Sequence, residues 1–543
     1  MIEKPRHRVK AGSTYVPVAP PRARAGYMRD SQSGVIAARP ASLREHRDEI
    51  RRIWWRASAL AMDMLQNSGR LRGTADQILA DTVGVELQLN PRPDLARLGY
   101  SASEAIAWVR LVKARFKAWA WNPLECDFRA KFTIPQQTDI GIRHWLAFGE
   151  SIGIVAYLHP QYRLPGTRTG TKLLLLSPQN LVQDTSDIER MYQGVIHDDH
   201  GRPTHYRIEK KRGWLSEKID YPIRDADGRV MLMHAFDPFA SDDVRGLSPL
   251  VPAFRKYLMA ENTDEAAATV RFMQTLYAGV LKSKRPAAEA FEAFENFDGV
   301  EGVAELKQDF VDYFKAQLNR AAENEIRIGA GAGITQLAPD EDLEFKSISV
   351  PGDDYPEFMA RLDRDTARAL GVTSGGYTLD FSKATYASTN MENSGLWPIA
   401  QRRTDRIAAP HVLVPYASWL DEEIARGDVP FKGGYEAFVA NRDAILWALC
   451  QGPSKPTADD EKRARGSSER MANGTGMLER ECGELGDDAE EVFESRVYWH
   501  KRYLAEGMAS PFDRGRPSDP AGKGRDGGVS EQAPRPNEQR EAA

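Results

Sequence analysis

Nowhere in the 543 residues do eighteen apolar side chains follow one another, and the N-terminus lacks the apolar block of a secretory signal. A soluble chain is therefore expected, with no membrane among its partners. Cysteine is scarce: Cys126, Cys450 and Cys482 are far apart and odd in number, which excludes a disulfide framework and paired metal-ligand spacing and favours a reducing cytoplasm. Positive charge is not in excess either. With a formal charge of -5, the chain is not built as a clamp that gains affinity by releasing counterions from phosphates, so any contact with DNA must run through local patches.

A phosphate loop is also missing. Gly329, Gly331 and Gly333 lead into Ile334, Thr335 and Gln336, without the lysine and hydroxyl residue of the full pattern; in "GTRTGTKL", Gly166 to Leu173, Thr171 separates Gly170 from Lys172. Neither stretch supports an ATPase. His197, Asp198, Asp199 and His200 could suggest metal ligands, but a hairpin turn closed by Gly201 explains the same residues and no second ligand cluster follows. No metal and no cofactor are expected.

What is present is length and polarity. At 41% hydrophobic, 28% charged and a mean hydropathy of -0.51, the chain has more polar surface than one compact body needs, which favours protruding parts. Residues 1–25 read as a disordered basic arm. Helices are predicted over Leu43 to Asn67, with Trp54 and Trp55 as core anchors, and from Ser101 or Ser103 onward, with Ile106, Val109, Val112 and Phe116 on one face. Short strands follow from Ser151 to His234: "GIVAYLH", "TKLLLLSP", "GVIHD", "THYRIEK" and "VMLMHAF". "HAFDPFASDDVRGLSPLVPAF" then closes a strand and opens a helix, with Ser248 and Pro249 as an N-cap and first-turn proline, or Pro252 as the true start. That helix would be a strut roughly 35 Å long. A shorter helix ends at Gly371, a Gly/Ser/Thr-rich stretch follows, and the helical segment from Met391 must bend at Pro398, Pro410 and Pro415. From Ala509 the composition is that of a disordered tail.

Four stretches in this order resemble the lambda-like family of bacteriophage portal proteins: "GVIHDDHGRPTHYRI" from Gly194, "HAFDPFASDDVRGLSPLVPAF" from His234, "LEFKSISVPGDDYPEFMARLDRDTARALGVTSGGYTLDFSKATYAS" from Leu343, and "ADDEKRARGSSERMANGTGMLERECGELGDDAEEV" from Ala458. Two positions depart from the family pattern: Asp243 stands where a Gln is common, and Asn390 where an arginine is. The resemblance implies an α+β portal-type multidomain fold that forms rings. Its parts would be a wing over 26–244, stem helices over 245–276 and 351–371, a clip over 277–350, a tunnel loop over 372–390, a kinked helix with remaining wing over 391–450, and a helical crown over 451–508, before a tail over 509–543. Arg245, Gly246, Ser248 and Pro249 would form the junction between wing and stem.

By the same resemblance, a homo-oligomer, usually of twelve subunits, would stand at one vertex of the virion capsid as a non-enzymatic channel for DNA packaging and ejection. Its partners would be the terminase large subunit, the capsid protein, head-tail connector proteins and the double-stranded DNA in transit. Thr373, Ser374, Tyr377, Lys383 and Tyr386 are the candidates for facing that DNA. The competing readings are a nucleic-acid-processing enzyme of the packaging machinery, and a head-tail adaptor or capsid component.

Overall fold

The computed structural model describes residues 44–276 and 355–512, apart from 213–214, 383 and 458, together with single positions 308 and 312 and the backbone of two strands near the N-terminus. The expected clip apart from 308 and 312, Lys383, and the tail beyond 512 lie outside the described residues. Within the arm expected to be disordered, β1 (Arg8–Ala11) and β2 (Thr14–Pro17) pair as an antiparallel hairpin. The β-branched and aromatic run Thr14, Tyr15, Val16 suits such pairing, so that expectation is corrected for these residues.

α1 (His46–Asn67) buries Ile50, Trp54, Ala57, Ala61 and Met64, one stripe at helical spacing. Trp55 is 54% exposed, contrary to the expectation of a second core anchor, because adjacent helical residues point about 100° apart and only one can share that stripe. Ser68 stops α1 and caps α2 (Gly69–Thr82), its Oγ accepting the Leu71 N–H at 3.2 Å. After β3 (Gln88–Pro91), α3 (Ala102–Ala120) opens on a reciprocal capping box between Ser101 and Glu104. Its buried face is Trp108, Val112, Phe116 and Trp119; Ile106 and Val109 are only half-buried, since the large aromatics decide which way the helix turns. α4 (Pro123–Cys126) and α5 (Ile134–Phe148) complete the helical layer.

Two antiparallel sheets follow. β4 (Glu150–Tyr157) is the central strand between β5 (Thr171–Leu176) and, from further along the chain, β10 (Leu232–Phe236). The second sheet runs in order β6 (Met191–Tyr192), β7 (Val195–His197), β8 (Pro203–Arg212) and β9 (Leu215–Pro222). The turn after β7 is the expected hairpin: Asp198 Oδ1 accepts the N–H groups of His200 and Arg202 at 2.9 and 2.8 Å, and Gly201 takes a positive φ of 76°. Among the described residues no group of three His, Cys, Asp or Glu could hold a metal ion.

The strut begins at the second proline. Val251–Ala253 form one 3-10 turn, and α6 (Phe254–Leu276) follows without a break at its acidic centre. α7 (Tyr355–Leu370) packs antiparallel against it: Tyr355 donates its hydroxyl to Asp264 at 2.9 Å, and Lys256 pairs with Asp365 at 3.4 Å. α8 (Ser374–Thr378) and α9 (Tyr386–Arg403) come next.

The bend expected from the prolines takes one definite form. Pro410 has no N–H to donate, so the ladder is reset just before it: Thr404–Ala408 form a π-helical turn, and the Ala409 N–H reaches back five residues to the Thr404 carbonyl at 2.8 Å. α10 (Pro410–Ala425) continues beyond, accommodating Pro415, and carries Tyr416 and Trp419 against Phe116 of α3 with ring centroids 5.4 and 5.2 Å apart. After α11 (Gly434–Ala440) and α12 (Arg442–Ile445), β11 (Ala448–Gln451) pairs with β3, so a strand from late in the chain closes onto one from its first hundred residues. α13 (Asp460–Ala472), α14 (Leu478–Leu485) and α15 (Ala489–Ala505) form the helical C-terminal part. No described helix is long and apolar enough to cross a membrane.

The bend is held by a buried histidine. His411 Nδ1 lies 3.0 Å from the Ile407 carbonyl, which fixes the proton there, so Nε2 accepts the Ser151 hydroxyl at 2.8 Å. Gly141 faces this ring, and a Cβ there would stand 2.0 Å from His411 Nε2. Both partners are fully enclosed, unlike a Ser-His pair that must meet a substrate.

Burial pushes His411 down to about 4, and does the same to His144, from an ordinary 6.5. Between those values the unfolded chain binds protons that the folded chain refuses, so stability falls as the pH drops. Urea midpoints should hold steady above pH 7 and decline from about 6.5 downward, each histidine removing up to about 1.4 kcal/mol for every pH step of one. His411→Gln should flatten that decline. A midpoint unchanged from pH 7 to 5 would contradict this picture of the bend.

Candidate functional site

The junction between the sheets and α6 is built around one carboxylate. Glu150, the first residue of β4, is enclosed with no exposed surface, and β4 directs it toward Arg245, which follows β10 and the loop after it. Arg245 Nε sits 2.8 and 2.9 Å from the two Glu150 oxygens, and its Nη2 closes a second bond to Oε1. The guanidinium is also stacked over Trp54 of α1, with Cζ 4.6 Å from the ring centroid. Gly246 donates its N–H to Glu150 Oε2 at 3.0 Å; His234 Nε2 lies 3.0 Å from the same oxygen, and the Tyr206 hydroxyl reaches His234 Nδ1 at 3.0 Å. Burial alone would favour the neutral acid at Glu150, but Arg245 and His234 outweigh it and hold the carboxyl at about 2.

Gly246 has no alternative at its position. A Cβ there would lie 2.1 Å from the Gly149 carbonyl oxygen, while Gly149, at φ +84°, faces the backbone of Leu247 at a comparable distance. Two backbones cross in contact here, at the end of α5 and the start of the stem. Ser248 donates its hydroxyl to the Leu146 carbonyl at 2.6 Å and accepts the Leu250 N–H at 3.2 Å, tying the segment that leads into α6 to α5. Pro249 is half-buried one residue on. All four junction residues are thus brought together, with Glu150, His234, Tyr206 and Trp54 as partners that the sequence did not announce. Asp243, at the first departure from the family pattern, accepts the Phe239 and Ala240 N–H groups at 2.8 Å and meets His46 Nδ1 at 2.7 Å, so it closes the loop before the junction.

The 372–390 stretch is less open than a glycine-rich loop. Thr373 spends its hydroxyl capping α8, accepting the Gly376 N–H at 2.9 Å, and the half-buried Ser374 donates its N–H to Glu392. Tyr377 is only 5% exposed, packed into the core beneath Arg70, whose guanidinium lies 5.8 Å from its ring. Its assignment to the DNA-facing set is therefore corrected: the ring finds an apolar seat that a solvated loop would deny it. Tyr386 is 45% exposed at the first turn of α9, with Lys462 Nζ 4.8 Å from its ring. Lys383 lies outside the described residues. Asn390, at the second departure, is exposed on α9.

The "GTRTGTKL" stretch is an anion cradle after all, filled from within. Glu422 of α10 accepts the Gly170 and Thr171 N–H groups at 2.6 and 2.8 Å and the Thr171 hydroxyl at 2.7 Å. Glu125 of α4 accepts the Arg168 and Thr169 N–H groups at 2.7 and 3.0 Å. Four successive amides thus meet two carboxylates, which leaves them no room for a phosphate.

These features define a mixed α+β body, a buried charged joint, and two antiparallel helices leaving it. The chain belongs to the lambda family of phage portal proteins, whose family model matches residues 33–403. It is 23% identical over 466 residues to portal protein B of Escherichia phage lambda, covering 84% of this chain and 85% of that one. It is 22% identical over 470 residues to the portal protein of Escherichia phage N15, covering 84% and 86%. Among solved structures it is similar to a chain from the neck of an empty GTA particle, at 16% identity and a TM-score of 0.32, covering 74% of this chain and 98% of that one. A chain from the neck of a native GTA particle is similar at 15% identity and a TM-score of 0.29, covering 76% and 98%. Portal proteins are virion components, and the family is structural in character.

Proposed function

We propose that copies of this chain, twelve by the family resemblance, close into a ring at one capsid vertex and conduct double-stranded DNA through its bore. The chain itself has no catalytic role in this reading; a terminase large subunit supplies the energy of packaging, and capsid protein and head-tail connector proteins hold the two faces. Assembly takes place in the host cytoplasm. Residues 26–244 serve as wing, α6 and α7 as stem, 277–350 as clip, 372–390 as tunnel segment, 391–450 as kinked helix with the rest of the wing, and 451–508 as crown.

The observation that carries this reading is the antiparallel pair α6 and α7. It leaves the wing at a buried ionic joint and is separated in sequence by a segment long enough to form its own module. A closed ring needs one heterologous contact repeated, and two rods of different surface provide its two sides. Of the DNA-facing candidates, Tyr386 is exposed on the tunnel segment, with half-buried Ser374 and Thr373 on the same stretch; Lys383 keeps its place in the set.

Negative-stain imaging and mass photometry of the purified full-length protein test this directly. Rings with an open central hole, viewed down the axis, are expected. A compact monomer at micromolar concentration, or assemblies with no bore, would overturn the reading.

A further inference from the structure

The two stem helices carry matched charge on faces that cannot meet within one chain. On α7, Leu362, Thr366 and Leu370 are turned inward, whereas Arg361, Arg364 and Arg368 fall within about 60° of one another on the opposite face, at 100° per residue. None of these three arginines has an ion pair among the described residues; Arg364 Nε only donates to the carbonyl of Ala360 on its own helix, at 3.2 Å. Beside the stripe, α7 and α9 frame a groove of about 340 Å³, with Arg364 and Arg368 on its rim and Ala367, Val372 and Leu396 beneath. On α6, Glu261 and Glu265 stand one turn apart. Glu265 is exposed and Glu261 half-buried, its carboxylate accepting the Tyr257 hydroxyl at 3.1 Å and no other hydrogen bond among the described residues. The antiparallel seam is pinned on α7 by Tyr355, bonded to Asp264, and Asp365, paired with Lys256, a side of the helix about 100° around from the arginine stripe, so the stripe is turned off the seam with its own α6.

We propose that the arginine stripe and groove of α7 receive the Glu261–Glu265 face of α6 from a second copy of this chain. This rests on the ring reading above and names the surface that closes it. The spacing suits the match: arginines at i, i+3 and i+7 and glutamates at i and i+4 both repeat by about one helical turn. A contact of this kind is heterologous, joining two different faces, and therefore propagates from copy to copy until the ring closes. Being rimmed by exposed charge, it weakens as salt rises.

The test is charge reversal in the full chain. Arg364→Glu with Arg368→Glu should raise the protein concentration needed for ring formation at least about tenfold in mass photometry, a loss near 1.4 kcal/mol per contact. Circular dichroism and the monomer's melting temperature should stay unchanged, since the side chains are exposed. Adding Glu261→Arg and Glu265→Arg to that variant should bring the concentration back toward the wild-type value. Unaltered assembly after the arginine reversal would overturn the contact while leaving the ring intact. So would weakened binding of double-stranded DNA with normal rings, which would place the stripe in the bore. A wild-type protein that forms no rings would remove the ring reading and this contact with it.

Discussion

Replacing Arg245 by methionine should destabilise the chain by about 3–5 kcal/mol, the cost of leaving a buried carboxylate without its cation. The loss follows from what Glu150 would keep. Its Oε2 would still accept from Gly246 and face His234, but the Arg245 fork that saturates both oxygens would be gone, along with the stacking on Trp54. Total stabilities of ordinary domains are about 5–15 kcal/mol, so the variant should fold poorly and accumulate as insoluble protein. Arg245→Lys should fare only partly better, because an ammonium supplies neither the planar fork nor the stacked face.

The informative measurement is the double variant Arg245→Met with Glu150→Leu. Removing both charges together should recover part of the loss, with a coupling energy of a few kcal/mol in urea unfolding. Recovery should stop short of wild type, since the Gly246 N–H and His234 Nε2 would then lack their acceptor. If Arg245→Met unfolds within about 1 kcal/mol of wild type, the joint is not what fixes the start of α6 to the β4 sheet.

Most of the element sequence could be read from apolar spacing and caps, and the exceptions share a physical cause. α1, α3 and the strands β4, β5, β8 and β10 announce themselves because burial on one face leaves a period in the sequence. β9 does not: "LSEKIDYP" has most of its described side chains in solvent, so no apolar alternation marks it, and the strand exists because β8 offers it a ladder. Tyr377 misled for the opposite reason, since a tyrosine among Gly, Ser and Thr looks solvated until the core beneath Arg70 is known. At the junction, the Arg-Gly pair was legible as a motif, whereas its partner Glu150 is 95 residues distant in sequence and pairs only through the sheet. Non-local pairing of this kind leaves no trace in a local window. The portal class itself was legible through family resemblance rather than through any chemistry the residues advertise.

Glu422→Ala should be the second most damaging change, and one that an added ion can partly repair. The substitution strips the acceptor from the Gly170 and Thr171 amides and leaves the Thr171 hydroxyl the Ser418 carbonyl at 3.4 Å, all in the interior between α10 and β5. Each orphaned donor costs about 1–3 kcal/mol, so a total loss of a few kcal/mol is expected in urea unfolding. The vacated half of the cradle keeps the Gly170 and Thr171 amides, while Glu125 still holds those of Arg168 and Thr169, and Arg163 Nη2, which lies 3.4 Å from Glu422 Oε1, would remain at its edge. Such a concavity is a ready site for a small tetrahedral anion. Sulfate should therefore raise the melting temperature of Glu422→Ala by more than it raises that of the wild type, which gains only the general effect of an excluded salt. Chloride at matched ionic strength serves as the control and should not discriminate between the two proteins. Equal responses to sulfate would show that the amides collapse onto other partners once the carboxylate is gone, and that the glycine-rich turn is not a preformed anion cradle occupied by the chain's own glutamates.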